Sequence, residues 1–274
     1  NFLKNSKIVS DAKIRSSIGV IGNNRVSDYA SYALLGTGGQ NSYSSNSTFM
    51  TGSYPLSLSN PALKWETTKE TDLGVDLGFF NQRVIIVADY YKKVTSDLLL
   101  SSQLPGSAGY ASAFQNIGSV QNTGIELSLT TVNIAKKDFN WSTSFNISFN
   151  DNKVLSLTSG QTSLTTITKW SGGNSIAASP SFIAKVGQPI GMFYGLLSDG
   201  VYQYSDFDLV GTAYVLKAAI PSANITRSKI LPGYWKFKDL NGDLVVDAND
   251  LTTIGNPNPD FIGGFTNNIS YKGF

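Results

Sequence analysis

The connections between the candidate strands of this chain are alternately very short and very long. Six segments alternate apolar and polar residues in the manner of β-strands with one apolar face. They span residues 11–20, 71–79, 84–93, 122–132, 139–150 and 261–271. The turns "FNQR" and "AKKD" join two pairs of them through about four residues each. The other connections run over about 21–63, 101–117 and 155–259, so every long connection lies at the same end of an up-and-down arrangement.

A transmembrane β-barrel accounts for this asymmetry better than a soluble β-sandwich. Outer-membrane barrels have short periplasmic turns and long extracellular loops, whereas a compact soluble domain has no reason to collect long loops at one end. The segments also reach the roughly 9 to 11 residues that a tilted strand needs to cross the hydrocarbon layer. We predict an all-β, antiparallel, up-and-down barrel segment with Phe139, Trp141 and Phe145 facing outward. A soluble sandwich with these aromatics in its core stays open as the alternative.

Composition narrows the classes of function. The chain contains no Cys and no His, which removes thiolate chemistry, His-dependent catalysis and the common zinc sites, so we do not expect an enzyme. Its 21 Lys and Arg against 19 Asp and Glu give a net charge of +2 without a long basic run, so nucleic acid is not an expected partner. No apolar run approaches the roughly 20 residues of a membrane-spanning helix.

The acidic stretch "DLNGDLVVDAND" has the oxygen spacing of a twelve-residue calcium loop. The candidate ligands are Asp239, Asn241, Asp243, the Val245 carbonyl, Asp247 and Asp250. Leu244 stands at position six, where the bend of such a loop normally takes Gly. Two interpretations stay open: a calcium ion stiffens the loop, or the side chains form Asx turns with their own backbone. The strand-like flanks argue against a helix–loop–helix sensor.

Two further sets of residues invite functional interpretations that we consider weaker than structural ones. Four carboxylates on the polar faces of the predicted strands are expected to form a polar barrel wall without catalysis. They are Asp72, Asp76, Asp89 and Glu126. A group of aromatic residues in the longest connection could stack on sugar rings, but we favour the packed core of a long loop. These residues are Phe193, Tyr194, Tyr202 and Tyr204.

Seven sequence blocks follow one another along nearly the whole chain. They are "DAKIRSSIGVIGN", "NPALKWETTKETDLGVDLGFFNQRV", "DYYKKVTSDLLL", "NIGSVQNTGIELSL", "FNWSTSFNISFNDNKVLSL", "VGQPIGMFYGLLSDGVYQ" and "FKDLNGDLVVDANDLTTIGNPNPDFIGGFTNNISYKGF". In this order they resemble the C-terminal half of the SusC/RagA-like TonB-linked outer-membrane proteins of Bacteroidetes. The resemblance implies a barrel of roughly 22 strands with an N-terminal plug, embedded in outer-membrane lipid. It implies import of oligosaccharides, peptides or similar nutrients with energy from the TonB complex, and a SusD-like lipoprotein over the extracellular mouth.

The chain departs from the family pattern in two respects. The plug, its TonB-contacting segment and most of the barrel strands are absent, and six strands cannot close a barrel without unpaired edges. We therefore interpret residues 1–274 as one partial barrel domain of a larger protein. Leu244 also replaces the Gly that the family usually has, which bears directly on calcium binding.

The strand order puts the acidic stretch late in the longest extracellular connection. We predict that a SusD-like lipoprotein rests on the loops that hold Gly191–Tyr204 and Asp239–Asp250, because this connection contains many large aromatic residues and a stable interface uses such anchors. The alternative from a different class is a calcium-stabilised cell-surface adhesin or binding protein of the soluble β-sandwich type. The sequence does not name the imported substrate.

Overall fold

The computed structural model describes residues 6, 8–24, 28–37, 42–45, 47–104, 106–110, 112–157, 160–166, 180–223 and 225–273. The strands of the first half are β1 (Val9–Asn23), β2 (Leu35–Thr37), β3 (Tyr43–Ser45), β4 (Thr48–Met50), β5 (Ser53–Pro55), β6 (Glu66–Phe79), β7 (Val84–Ser96), β8 (Leu99–Gln103), β9 (Ser112–Asn116) and β10 (Ser119–Ala135). Those of the second half are β11 (Phe139–Ser156), β12 (Ser163–Thr166), β13 (Phe182–Lys185), β14 (Met192–Gly195), β15 (Ser198–Val201), β16 (Phe207–Val210), β17 (Ala213–Leu216), β18 (Trp235–Phe237), β19 (Thr252–Gly255) and β20 (Ile262–Tyr271). Short 3-10 helices lie at Gly106–Ala108, Tyr204–Asp206, Arg227–Lys229 and Ala248–Asp250. Within these ranges no helix is long and apolar enough to cross a membrane.

Six long strands form one antiparallel sheet, which we call the large sheet. Its order is β1-β6-β7-β10-β11-β20, so each long strand pairs with the next long strand along the chain. Residues 80–83 and 136–138 make the two short turns, and the three other connections are long. These strands contain the six predicted segments except Phe261, since β20 begins at Ile262, and this confirms the predicted all-β, up-and-down architecture.

The large sheet has one apolar and one polar face, as period-two alternation requires. The apolar face carries Ile14, Ile18, Leu73, Val75, Leu77, Ile86, Ala88, Tyr90, Ile125, Leu127, Leu129, Trp141, Phe145, Ile147, Phe149, Phe265 and Ile269. The polar face carries Lys13, Arg15, Ser17, Glu70, Asp72, Asp76, Asp89, Tyr91, Lys93, Glu126, Ser144, Asn146, Ser148 and Asn150. The register thus places most apolar and most polar strand residues on opposite faces, although Ile85 and Val87 lie on the polar one.

The apolar face is open to the surroundings. Ile14 is 83% exposed and Phe265 67%, while Trp141 and Phe145 keep 37% and 39% of their accessible surface. A β-sandwich would enclose these side chains between two packed sheets. The sandwich alternative is therefore wrong for the described residues, since the predicted outward aromatics do not lie in a closed core.

Glycine is required where the polar face is most crowded. A Cβ on Gly74 would lie 2.8 Å from the guanidinium carbon of Arg15. Gly124 has the same role beside Tyr91, whose ring covers it on the neighbouring strand. By contrast, a Cβ on Gly19 would meet nothing within 4 Å. The two crowded glycines let large side chains of adjacent strands cross the backbone.

The short turn after β6 has an uncommon backbone conformation. Phe80, Asn81 and Gln82 have φ of 54°, 57° and 64°, in the left-handed region that costs most residues roughly 1–2 kcal/mol each. The Ser10 hydroxyl accepts hydrogen bonds from the N–H groups of Asn81 (2.6 Å) and Gln82 (3.3 Å). The carbonyl of Ile8, just before β1, also accepts a hydrogen bond from the N–H of Phe80 at 2.8 Å. The start of β1 therefore helps to hold this turn.

Residues 163–185 and 189–258 form a second compact unit, which we call the loop unit. It lies in sequence between β11 and β20, and contains the sheet β12-β13-β14-β19 and the ribbons β15-β18 and β16-β17. Its core consists of Tyr202, Phe207, Leu216 and Ile230. The Tyr202 hydroxyl donates to the carbonyl of Pro221 (2.7 Å) and accepts from the N–H of Ala223 (3.0 Å). The longest connection is thus a folded unit with its own core.

The other two long connections also contain local pairing. Ribbons β2-β5 and β3-β4 lie between β1 and β6, and ribbon β8-β9 lies between β7 and β10. Asn116 joins two of these connections: its side chain accepts from the N–H of Lys64 and donates to the carbonyls of Lys64 and Asp97, all at 2.7–2.9 Å. Glu66 adds a bond from the N–H of Leu99 at 3.0 Å. Side chains at the strand ends therefore position the connections.

Candidate functional site

The centre of the polar face is an ion-pair cluster built around Arg15. Its Nη2 lies 2.7 Å from Asp76 Oδ1 and 2.8 Å from Asp89 Oδ1, while its Nε donates to both oxygens of Asp76 at 3.0 Å. Asp76 and Asp89 come from neighbouring strands, and Gly74 provides the space between them. Two of the predicted wall carboxylates therefore converge, but on an arginine that the sequence did not single out.

Two further side-chain pairs lie on the polar face. Lys93 Nζ lies 2.9 Å from Glu70 Oε1, and Ser17 donates to Asp72 at 3.0 Å. Glu126 is exposed and, with Asp89, lines a shallow depression whose floor carries Ser128, Asn146 and Ser148. The half of the face on β11 and β20 carries Ser, Asn, Thr and Gly together with Ile262. This arrangement suits a hydrated wall; the clustered carboxylates are neutralised by cations and oriented by them.

The candidate calcium loop is held by bonds from its own backbone. Asp239 accepts from the N–H groups of Gly242 (2.6 Å) and Leu244 (2.8 Å). Asn241 accepts from the N–H of Asp243 at 2.9 Å, and Asp243 accepts from the N–H of Val245 at 2.8 Å. Asp247 accepts from the N–H of Asn249 at 2.7 Å. The bonds to Asn241, Asp243 and Asp247 span two residues and are the Asx turns of the second interpretation, while those to Asp239 span three and five residues.

Asp250 is the structural centre of this loop. It is fully buried, at 0% exposure, and its carboxylate accepts from the N–H groups of Leu240 (2.7 Å), Asn241 (3.4 Å) and Asp247 (2.8 Å). The bond from Asp247 lowers the pKa of Asp250 below 3.8 against the opposing effect of burial, and the bonds from Leu240 and Asn241 add to the lowering. The carboxylate is therefore ionised at neutral pH and ties both ends of the loop together.

The oxygen atoms of this loop are of the kinds that bind calcium, but their present arrangement does not suit the ion. Carboxylate and carbonyl oxygens are what Ca²⁺ prefers, yet the backbone N–H groups use oxygens of every candidate acidic residue. In the part of the chain that the structure describes, no three acidic side chains form a group that could hold a metal ion. Calcium binding by residues 239–250 thus stays a prediction.

Leu244 replaces glycine at a position that does require a left-handed backbone. Its φ is 66°, and that of Gly242 is 82°. The bend expected from a calcium loop is therefore present at position six, although the residue there carries a side chain. The N–H of Leu244 bonds to Asp239, which stabilises the bend locally.

The predicted aromatic cluster of the longest connection divides into two groups. Tyr202 lies in the core of the loop unit at 1% exposure, as predicted. Tyr204 is 70% exposed and its ring lies 5.4 Å from that of Tyr214, so the core prediction is wrong for Tyr204. Phe193 lies on the internal strand β14 and packs against Phe182 of β13 with ring centroids 5.5 Å apart, but it is 41% exposed, so the core prediction is wrong for Phe193 as well. One of the four residues forms the core, and the others lie nearer the surface.

One polar network lies on the apolar face, near the short-turn end of the sheet. Asn267 accepts from the indole N–H of Trp141 (3.0 Å) and from the Thr143 hydroxyl (2.8 Å). Asn133 donates to the same hydroxyl at 2.7 Å. Tryptophan with an apolar body and a satisfied N–H is typical of the boundary between lipid and water. The network therefore marks one border of the apolar region.

Sequence and structure comparisons agree with this geometry. A family model described as "TonB dependent receptor-like, beta-barrel" matches residues 17–253. TonB-dependent receptor P3 of Formosa agariphila is 35% identical over 281 residues, which cover 100% of this chain and 26% of that protein. TonB-dependent receptor SusC of Bacteroides thetaiotaomicron is 32% identical over 280 residues, or 100% of this chain and 25% of that protein. The solved structure of the RagAB peptide transporter superposes with a TM-score of 0.71 at 25% identity, over 99% of this chain and 26% of that chain.

The large sheet, with its open apolar face, polar opposite face and unequal connections, is a segment of an up-and-down β-barrel wall. The chain belongs to the TonB dependent receptor-like β-barrel family, and within it to the SusC/RagA-like group that the seven blocks indicated. It spans about a quarter of the length of the curated relatives it matches.

Proposed function

We propose that this chain forms part of the wall of an outer-membrane receptor that imports a nutrient with energy from TonB. The observation that carries the proposal is the open apolar face of the six long strands in a chain of this family. In water, an apolar face of this size would promote association, whereas lipid covers it at no such cost. Localisation in the outer membrane follows from the same argument.

The polar face then lines the interior of the barrel. Its ion pairs and amide groups are compatible with a hydrated passage, and they offer no activated nucleophile or general base of the usual kinds. The relatives are named as receptors, which supports import without covalent chemistry. The proposed substrate class comprises oligosaccharides, peptides and similar nutrients. The structural relative is described as a peptide transporter.

The proposed partner at the extracellular end is a SusD-like lipoprotein, and the proposed partner within is TonB, acting through a plug. The loop unit presents exposed aromatic side chains at Tyr204, Tyr234 and Trp235, residues of the type that anchor interfaces. Tyr204 is the last residue of the predicted docking loop Gly191–Tyr204, and Tyr234 and Trp235 lie shortly before the loop Asp239–Asp250. The structural relative's description as RagAB supports a two-component assembly for this chain as well.

Transport is tested with the full-length receptor in its native membrane. We expect nutrient uptake to require TonB and the receptor to remain in the membrane until detergent is added. Mild-detergent purification is expected to recover a stoichiometric lipoprotein. Uptake that is independent of TonB would contradict the mechanism, and recovery of a lone receptor would contradict the partnership.

We propose calcium as a ligand of the 239–250 loop in a form whose carboxylates exchange backbone N–H groups for the ion. Asp239, Asn241, Asp243, Asp247, Asp250 and the Val245 carbonyl would supply the oxygens. Calcium titration of the full-length receptor should then protect this loop from proteolysis, and Asp243→Ala should abolish the protection. Equal protection of both proteins would favour the Asx-turn interpretation.

A further inference from the structure

Three lysines stand on the apolar face just beyond the apolar residues, at the end of the sheet nearer the long connections. Val20 of β1, Lys69 of β6, Val94 of β7, Gln121 of β10 and Lys153 of β11 form one cross-strand row. Lys92 lies one row closer to the apolar residues, diagonal to Lys69. The Cβ atoms of such diagonal neighbours are about 7–8 Å apart, so two lysine side chains can reach a common anion. The acidic residue on this part of the face is Asp151, in the row of Lys92.

These lysines differ from Arg15 and Lys93 of the polar face in having no carboxylate partner. On the polar face, Arg15 and Lys93 pair with Asp76, Asp89 and Glu70 within 2.9 Å. Among the described residues, Lys69, Lys92 and Lys153 take part in no ion pair, and all three are exposed. Their side chains are therefore available to an external group of negative charge.

Their height on the sheet fits the border of a membrane. Along β6, Phe79 near the short turn and Lys69 are separated by 79 − 69 = 10 residues. At about 3.3 Å per residue this is about 33 Å along the strand, or about 25 Å along the membrane normal for a strand tilted by about 40°. That is about the height of the apolar band of outer-membrane barrels. Lys69 thus lies where the hydrocarbon ends and the headgroups begin.

We propose that Lys69, Lys92 and Lys153 bind the phosphate groups of a phosphorylated glycolipid in the outer leaflet of the membrane. The proposal rests on the proposed function for its orientation, because the long connections must then be extracellular. An ammonium group is a point charge with three donors that suits a phosphate. The three lysines are positively charged, lie at the edge of an apolar surface and have no ion-pair partner within the described residues. These features favour an anionic lipid over a protein partner, because a protein would have to displace lipid to reach the lysines.

The test uses the full-length receptor, purified in detergent and freed of bound lipid. Lipid A that carries phosphate, the same lipid A after removal of phosphate, and phosphatidylglycerol serve as probes, and the retained lipid is quantified by mass spectrometry after gel filtration. The variants are Lys69→Gln and Lys92→Gln, alone and together. Lys137→Gln, in the short turn at the opposite end of the sheet, is the matched control.

We expect affinity for phosphorylated lipid A to fall about fivefold for each lysine removed and roughly twentyfold in the double variant. The control should keep the original affinity, and added salt should weaken binding. Equal binding of the two forms of lipid A would overturn the proposal. Equal or tighter binding of phosphatidylglycerol would overturn the assignment to the outer-leaflet glycolipid, and lysine-dependent capture of an acidic protein would overturn the lipid assignment.

Failure of this proposal is distinguishable from failure of the proposed function. Lipid retention is measured on the purified receptor and needs neither TonB nor a substrate. A receptor that retains phosphorylated lipid A through these lysines, yet takes up nutrient without TonB, would contradict only the import mechanism. A receptor that imports in a TonB-dependent manner but ignores the phosphate would contradict only the lipid site.

Discussion

Replacement of Asp250 by Ala should open the 239–250 loop while the large sheet stays intact. The substitution removes the acceptor for three N–H groups, two of them in short bonds of 2.7 and 2.8 Å and one in a long bond of 3.4 Å. A hydrogen bond to a charged, buried acceptor contributes about 1.5–3 kcal/mol, and the long bond contributes little. The free energy of local opening should therefore fall by about 3–4 kcal/mol.

Hydrogen exchange of the full-length receptor, followed by mass spectrometry with a chelator present, measures this change. Peptides that contain Leu240, Asn241 and Asp247 should exchange about 10² to 10³ times faster in the variant. Asp243→Ala is the matched control, because its carboxylate accepts from the N–H of Val245 in an exposed turn. Its effect should stay within about 1 kcal/mol. Equal acceleration in both variants would refute the central role assigned to Asp250.

The same carboxylate gives the loop a pH dependence of known sign. The pKa of Asp250 in the folded chain is lowered from 3.8, chiefly by the bond from Asp247, so its ionised form stabilises the fold above that value. The stabilisation is lost as the pH falls through the lowered pKa. Pepsin should therefore cut wild-type residues 239–250 only well below about pH 4, whereas Asp250→Ala should be cut throughout the acid range. Cleavage of the wild type with the same pH profile as the variant would contradict this reasoning.

Three further substitutions test other parts of the structure, each on the full-length receptor. Gly74→Ala should lower stability in detergent by about 1–3 kcal/mol, because the new Cβ displaces a guanidinium 2.8 Å away, while Gly19→Ala, with free space around it, should have little effect; equal melting shifts would contradict the crowding argument. Leu244→Gly should slow exchange in the acidic loop by roughly tenfold, since a left-handed φ of 66° costs a side-chain-bearing residue about 1 kcal/mol or more, and faster exchange would refute it. Leu127→Arg, near the middle of the apolar face, should reduce the free energy of folding into a bilayer by about 2–4 kcal/mol, measured by urea titration, whereas Ser144→Arg on the polar face should change it much less.

The strands of the large sheet could be predicted from the sequence because the signals that identify them are local. Alternation identifies a strand from a few neighbouring residues, and a turn of about four residues fixes the antiparallel partner. The ends of the strands were predicted less well, since β10 and β11 extend to Ala135 and Ser156, beyond the predicted ends. The β-bulge between Val132 and Ile134 depends on both partner strands and has no simple signal in one of them.

The strands of the loop unit were not predicted, although a packed core was, because their pairing is short and distant in sequence. β14 pairs with β19 across more than fifty intervening residues, and both contain four residues. Segments of this length show too few alternations to identify a strand. The spacing of the acidic loop did identify its polar residues, but which oxygen bonds to which N–H group depends on the folded turn. Arg15 was missed for a related reason: only the register shows that Arg15, Gly74 and Asp89 form one cross-strand row, with Asp76 on the same strand as Gly74.

The two compact units differ in how their apolar side chains are buried, and this difference determines how each unit should respond to mutation. Among the described residues, the buried apolar side chains of the unit that holds the large sheet are Ala113, Val120 and Val154, whereas those of the loop unit are Ile183, Tyr202, Phe207, Leu216, Ile230 and Val246. A truncation such as Phe207→Ala leaves a cavity in a closed core and should cost about 3–5 kcal/mol. A truncation on the open apolar face leaves no cavity, because fluid lipid fills the space, whereas a charge inserted there is costly. Substitutions that reduce size should therefore damage the loop unit, and substitutions that add charge should damage the sheet.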